Sequence, residues 1–284
     1  MSTDRVTILG AQVSRVTLVQ ALAKLENWIQ RPSDRCRFIV ATGFHGIWVA
    51  HQDRAFRDIV NSSDLFCPDG IAPVWLSRLR GDPLPERVPG PDLMRAFIKS
   101  TCHRSYFYGD TEATLEALQH RLAAESPEHN FVGAYSPPFR PLTAAEDESV
   151  VRMINDAKPD VLWVGLGVPK QEQWIHSHML ALKVPVVAGV GAAFSLISGT
   201  IRRAPRWVGN AGLEWLWRLG CEPGKLWRRD FLDGPRFIYH ALKETREIRS
   251  AARSSPYRLR QNKMIGITTR VSATNSEESS QNAR

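Results

Sequence analysis

Three stretches carry the side chains that a group-transfer reaction needs. In Cys67-Pro68-Asp69-Gly70 a carboxylate sits on a Pro-Gly turn behind an apolar stretch. A rigid turn would leave Asp69 accessible, and a general base must come within hydrogen-bond reach of the hydroxyl it deprotonates. A purely turn-forming Asp has the same pattern. In Gly165-Leu166-Gly167-Val168-Pro169-Lys170-Gln171-Glu172 an apolar run ends and a helical pattern begins. Exposed N–H groups at a helix start favour a phosphate or carboxylate. With Pro169 as first helical residue, Lys170, Gln171 and Glu172 fall in the opening turn. An ordinary strand-to-helix loop reads the same way, and two glycines without a third are a weak dinucleotide signature. In Gly199–Trp207 and the following Leu213–Leu219, the residues Arg202, Arg203, Arg206 and Arg218 suit a departing diphosphate. Guanidinium groups recognise phosphate through paired, charge-assisted hydrogen bonds, although any one of them also fits a solvated basic surface.

The sequence holds no DxD pair, no GxxxxGK[ST] loop and no HxxxH or HExxH spacing. Diphosphate chemistry would therefore fall to Arg and Lys rather than to a bound cation, and no metal or cofactor is expected. His45 and His51 straddle a Trp-containing helical stretch, where a histidine is more often structural.

These residues need a scaffold, and the apolar runs describe one. Arg37–Thr42, Ser105–Tyr108, Phe131–Tyr135, Val161–Leu166 and Val184–Val190 read as buried strands, with helical patterns such as Thr111–Ala124 between them. Alternating strands and helices predict an α/β fold: a Rossmann-like parallel sheet with helices on both faces. Ligands of such sheets bind outside the carboxyl ends of the strands. Thr42-Gly43, Gly109-Asp110 and Gly165-Leu166-Gly167 are therefore candidate pocket walls.

Length and charge complete the outline. With 284 residues, 43% hydrophobic, the chain can build one large α/β domain, expected over residues 1–199. Thr200–Lys263 holds 15 of the 37 Lys and Arg but only 6 of the 29 Asp and Glu, so the formal excess of +8 resides there. This segment has no clear strand and interleaves Trp and Phe with arginine. Within it Arg236–Arg249 forms an amphipathic pattern, with Phe237, Ile238, Ala241, Leu242, Thr245 and Ile248 on one face. It reads as a basic, aromatic, helical C-terminal appendage over 200–263 that meets an anionic partner. Residues 264–284 are polar and expected to be disordered. No apolar run reaches 18 residues, and Val184–Gly199 comes nearest, so a transmembrane helix is not expected. No signal-peptide pattern is seen, and four dispersed cysteines without a CxxC pair point to a reducing cytoplasm.

Taken in order, the motifs resemble the WecG/TagA/CpsF glycosyltransferases, also called glycosyltransferase family 26. The matching pieces are Thr42, Ala55-Phe56, Asp64-Leu65, Pro68-Asp69-Gly70, Glu86-Arg87-Val88-Pro89-Gly90-Pro91-Asp92-Leu93, Phe107-Tyr108-Gly109, Gly165–Glu172, Gly189–Phe194, Arg203-Ala204-Pro205 and Gly212-Leu213-Glu214-Trp215. The resemblance implies an inverting, metal-independent transfer from a UDP-sugar to a polyprenyl-diphosphate-linked sugar in cell-surface polysaccharide assembly. It further implies Asp69 as base, with Thr42, Arg87 and Gln171 lining the donor or acceptor pocket. The appendage would close over the site and dock on the anionic inner face of the cell membrane. Family members commonly carry Asn two residues after the threonine, where this chain has Phe44. Phe cannot hydrogen-bond a sugar amide, and His45 is the nearby polar substitute. That departure leans away from N-acetylmannosamine towards another hexose and an exopolysaccharide role. A homo-oligomer is left open. Two rival readings rest on charge and on sheet class alone: a nucleic-acid-binding protein, for which no recognition motif is present, and a dinucleotide-dependent oxidoreductase.

Overall fold

The computed structural model describes residues 4–202, 204–205, 208, 214–221, 224, 227 and 229–254. Arg203, Arg206, Trp207, the side chain of Arg218 and the 264–284 tail lie outside the described residues.

The chain opens with an antiparallel hairpin of β1 (Arg5–Ile8) and β2 (Ala11–Ser14). Leu9 and Gly10 close it with φ of 49° and 86°, a two-residue turn whose hand matches strand twist. Six parallel strands follow: β3 (Arg37–Thr42), β4 (Leu65–Pro68), β5 (Arg104–Gly109), β6 (Asn130–Tyr135), β7 (Val161–Gly165) and β8 (Val186–Gly189). Their spatial order is β4-β3-β8-β7-β5-β6.

Parallel neighbours need crossovers, and helices supply them. After α1 (Leu18–Gln30), α2 (Phe44–Gln52) and α3 (Arg54–Asn61) join β3 to β4. Then come α4 (Ala72–Arg80) and α5 (Gly90–Ser100), α6 (Glu112–Glu125), α7 (Ala144–Ala157), α8 (Lys170–His178) and finally α9 (Ala193–Ser198). Strand residues alternate between two apolar layers. Phe38, Val40, Phe66, Tyr108, Leu162 and Val187 enter one core, while Ile39, Ala41, Cys67, Phe107, Trp163 and Ala188 enter the other. Both sheet faces are thus covered, as a parallel sheet requires. The expected fold class holds, and all five expected strands form within two residues of the expected ends.

Besides the unexpected hairpin, three details differ from the expectation. The sheet gains β4, whose four residues were legible only as an apolar stretch before Asp69. Pro169 is the residue before α8, not its first; the helix opens at Lys170, with Glu172 still in the first turn. In the C-terminal part, the described residues form helices at Glu214–Cys221 and Gly234–Ser254 around a π-helical turn at Arg229–Asp233. The apolar face of the last helix is narrower than its pattern suggested. Phe237 and Ala241, one turn apart, are buried, whereas Ile238 is 55% exposed and Ile248 44%. Residues up to Ala241 belong to one compact unit and those from Leu242 to another. Within the first unit, the Phe237 ring lies 5.7 Å from that of Phe44. Among the described residues no helix is long and apolar enough to cross a membrane.

Candidate functional site

Asp69 is placed by three short-range constraints. Its N–H donates to the Thr42 carbonyl at 3.0 Å, extending the β3–β4 ladder one residue beyond Pro68. Gly70, at φ 94°, then turns the chain into α4. The half-buried carboxylate faces the start of α5, where the Gly90 N–H donates to Oδ2 over a long 3.5 Å. A helix start is the positive end of its dipole and suits a carboxylate. The loop bearing Arg87 is pinned alongside, since the Val88 N–H donates to the Pro68 carbonyl at 2.8 Å. Asp69 and the loop that bears Arg87 therefore lie beside Thr42 at the carboxyl ends of β3 and β4. Next to them, burial and the Asp69 charge push the Cys67 thiol well up, so it stays protonated and unreactive.

Close backbone approach on this side depends on glycine. A Cβ on Gly43 would stand 2.2 Å from the Asp69 carbonyl oxygen, and one on Gly46 would stand 2.2 Å from Thr42 Oγ1. Gly43→Ala is expected to push β3 and β4 apart at the base. A loss of about 1–3 kcal/mol in unfolding stability, with reduced transfer activity, would register it; an alanine variant with unchanged Tm and activity would refute this account of the turn.

The second half of the crevice lies over β7, β8 and β5. The Gln171 Oε1 accepts from the Gly167 N–H at 3.2 Å and from the Gly191 N–H at 3.0 Å. It thus ties together the turns that follow β7 and β8. Its Nε2 donates to Glu172 Oε1 at 2.8 Å. Both side chains are fully buried, so they meet the backbone of the crevice floor rather than offer exposed atoms to a ligand. Burial raises the Glu172 carboxyl to about 7, only partly offset by the Gln171 hydrogen bond. The two halves connect through β8, because the start of α5 packs on it: a Cβ on Gly90 would come 3.0 Å from the Val190 carbonyl oxygen.

The remaining expected residues divide. Gly109 closes on the next strand, where a Cβ would stand 2.6 Å from the Gly165 carbonyl carbon. Asp110 is committed internally: Oδ2 accepts from Ser195 Oγ at 2.5 Å, Oδ1 from the Thr111 N–H, and its carbonyl from Ser136 Oγ. It fastens the start of α6 and the end of β6 to α9. Lys170 is exposed at the first position of α8, and His45 lies in the first turn of α2. Arg202 is exposed beyond the C-terminus of α9, where its carbonyl accepts from Trp217 Nε1. Ser195 and the Gly90 N–H had no individual sequence signal, since each matters only through a partner more than 20 residues away.

Gly70, Gly167 and Gly191 share one property: each has positive φ, and nothing lies within 4 Å of where a Cβ would be. Three strand-end turns thus face open space, the first of them directly after Asp69. That layout is the one in which proteins of the parallel α/β class bind their ligands, outside the carboxyl ends of the strands. The chain belongs to the glycosyl transferase WecG/TagA/CpsF family, whose sequence profile matches residues 6–251. It is a glycosyltransferase, and membership leaves the nucleic-acid and oxidoreductase readings without support. Its relatives include proteins of Staphylococcus aureus strains COL and MRSA252, each described as an N-acetylglucosaminyldiphosphoundecaprenol N-acetyl-beta-D-mannosaminyltransferase. Each is 30% identical over 253 residues, covering 88% of this chain and 97% of the relative.

Proposed function

We propose that this glycosyltransferase moves a hexose from a UDP-sugar to a polyprenyl-diphosphate-linked sugar, with inversion and without a metal. The reading is carried by Asp69, whose carboxylate accepts from the Gly90 N–H at the start of α5 and whose backbone is bonded to Thr42, beside the loop that bears Arg87. In this reading the acceptor hydroxyl attacks the anomeric carbon from the face opposite the nucleotide. Its proton passes to Asp69, the bond from carbon to phosphate oxygen breaks, and UDP leaves with the electron pair. Arg87 and the basic segment from Arg202 onward compensate the charge that accumulates on the diphosphate. A lipid-linked acceptor accords with the substrate in the relatives' name, and the sequence offers no DxD pair to hold a cation.

Phe44 supports a donor without an acetamido group. Its ring is engaged with Phe237 and offers no polar atom to an acetamido group, which favours a hexose without one and an exopolysaccharide role. Incubation of the protein with UDP-glucose, UDP-glucuronic acid and UDP-N-acetylmannosamine, each with a polyprenyl-diphosphate-sugar, tests this directly. Transfer from a non-acetylated donor is expected. Transfer from UDP-N-acetylmannosamine alone would overturn the sugar assignment, and no transfer from any UDP-sugar would overturn the donor.

The site of action is the inner face of the cell membrane, reached by peripheral docking. Support comes from the basic segment, in which Arg236, Lys243 and Arg246 are each exposed, as are Ile238 and Tyr239. Each basic residue near an anionic leaflet contributes roughly 1 kcal/mol. Reversing Arg236, Lys243 and Arg246 to Glu in the full chain is expected to weaken sedimentation with phosphatidylglycerol vesicles by about 10²-fold or more. Undiminished sedimentation would dismiss this helix as the docking element.

A further inference from the structure

Glu172 is the only buried acidic side chain among the described residues, with 0% exposure. Its Oε2 meets no hydrogen-bond partner among them. An enclosed carboxyl oxygen without a partner is unfavourable, and an apolar residue of similar volume would avoid that loss. Glu172 Oε1 accepts from Gln171 Nε2. That contact sets the orientation of an amide whose terminal torsion is otherwise roughly two-fold. Turned over, the Gln171 NH₂ would face two backbone N–H donors and its oxygen would face a carboxyl oxygen. With the observed orientation, Gln171 Oε1 bridges the N–H groups of Gly167 and Gly191. Each of those glycines lies two residues beyond the end of its strand, at φ 79° and 57°, with open space beyond its Cα. The amide itself lies flat on Gly189, where a Cβ would come 3.1 Å from Nε2.

We propose that Glu172 is a positioning residue for the nucleotide-sugar: by fixing the Gln171 amide it sets two adjacent glycine turns at the spacing that receives the donor. The inference rests on the UDP-sugar reading above. Side chains that brace the backbone of a binding turn act on ligand affinity, because the turn itself supplies the contact surface.

Glu172→Leu keeps the volume and removes the buried carboxyl, a gain that offsets the loss of the acceptor for Gln171, so its fold is expected to remain close to wild type in stability. It should raise the KM for UDP-sugar about tenfold or more, with the KM for the lipid-linked acceptor little changed. Glu172→Gln, which retains an acceptor oxygen, should bring the donor KM back to within about threefold of wild type. In a Gln171→Leu background, Glu172→Leu should add no further change in donor KM, because its route to the turns is already gone. A wild-type donor KM in Glu172→Leu, or a Glu172→Gln variant as impaired as Glu172→Leu, overturns the proposal. The UDP-induced rise in Tm supplies a readout independent of transfer. If wild-type protein gives no rise, the donor reading fails and this inference with it. If wild type responds and Glu172→Leu responds equally, only the positioning role fails.

Discussion

Asp69→Asn is expected to lower the transfer rate by about 10²–10⁴-fold while leaving Tm and the UDP-induced rise in Tm close to wild type. The size follows from the chemistry. A sugar hydroxyl loses its proton far above neutral pH, so attack needs a base at the moment the new bond forms, and an amide cannot accept that proton. Retention of the fold follows from the geometry. Asn keeps an oxygen for the Gly90 N–H, and the backbone bond from the Asp69 N–H to the Thr42 carbonyl does not involve the side chain. The side chain is half-buried, and its exchange opens no cavity. KM for both substrates should change less than kcat, because the missing interaction is with a proton in flight rather than with either ground state. An Asn variant that turns over at the wild-type rate would remove Asp69 from the reaction. A variant equally slow but no longer stabilised by UDP would instead make Asp69 a binding residue.

What the sequence made legible follows from where its constraints are local. The strands β3, β5, β7 and β8 are covered on both faces, so they appear as continuous apolar runs such as Phe38–Ala41 and Val161–Val164. Asp69 was visible because a Pro-Asp-Gly turn is written in adjacent residues. The hairpin was not, since Leu9 takes a positive φ that its residue type does not announce. Nor was the role of Gln171. Its place in the first turn of α8 could be read, but its burial depends on the bare Gly189 of β8 and on two turns it reaches across strands. Asp110 looked like a pocket residue at a strand end and proves to be fastened to Ser195, 85 residues away. Phe44 read as a loss of a polar group, whereas its ring has a partner in Phe237 that only the folded C-terminal helix supplies. The basic segment was legible as charge, which needs no geometry.

Replacing Glu172 by Gln is expected to stabilise the protein at pH 8 and to change it little near pH 4. Burial raises this carboxyl to about 7 in the folded chain, against an ordinary 4.5. Its folded-state affinity for a proton exceeds the unfolded one, so the group is most favourable to folding where both states hold the proton, below about pH 4.5. Stability is lost progressively as pH rises towards and through 7, because the unfolded chain ionises first and freely. The difference corresponds to about 3 kcal/mol, an upper bound given relaxation around the site. Glutamine carries no proton to lose and escapes that penalty, while it still accepts from Gln171. The advantage of the variant should therefore grow from near zero to about 3 kcal/mol between pH 4 and pH 8, roughly 6–12 °C in Tm for a chain of this size. Asp64 and Asp160, whose carboxyls arginine hydrogen bonds hold below their ordinary range, lose stability in the opposite direction as pH falls. They are common to both proteins, and they cancel in the difference. Parallel unfolding curves at pH 5 and pH 8 measure it, and a gap between variant and wild type that does not widen with pH would show that Glu172 is not held as an enclosed, proton-retaining acid.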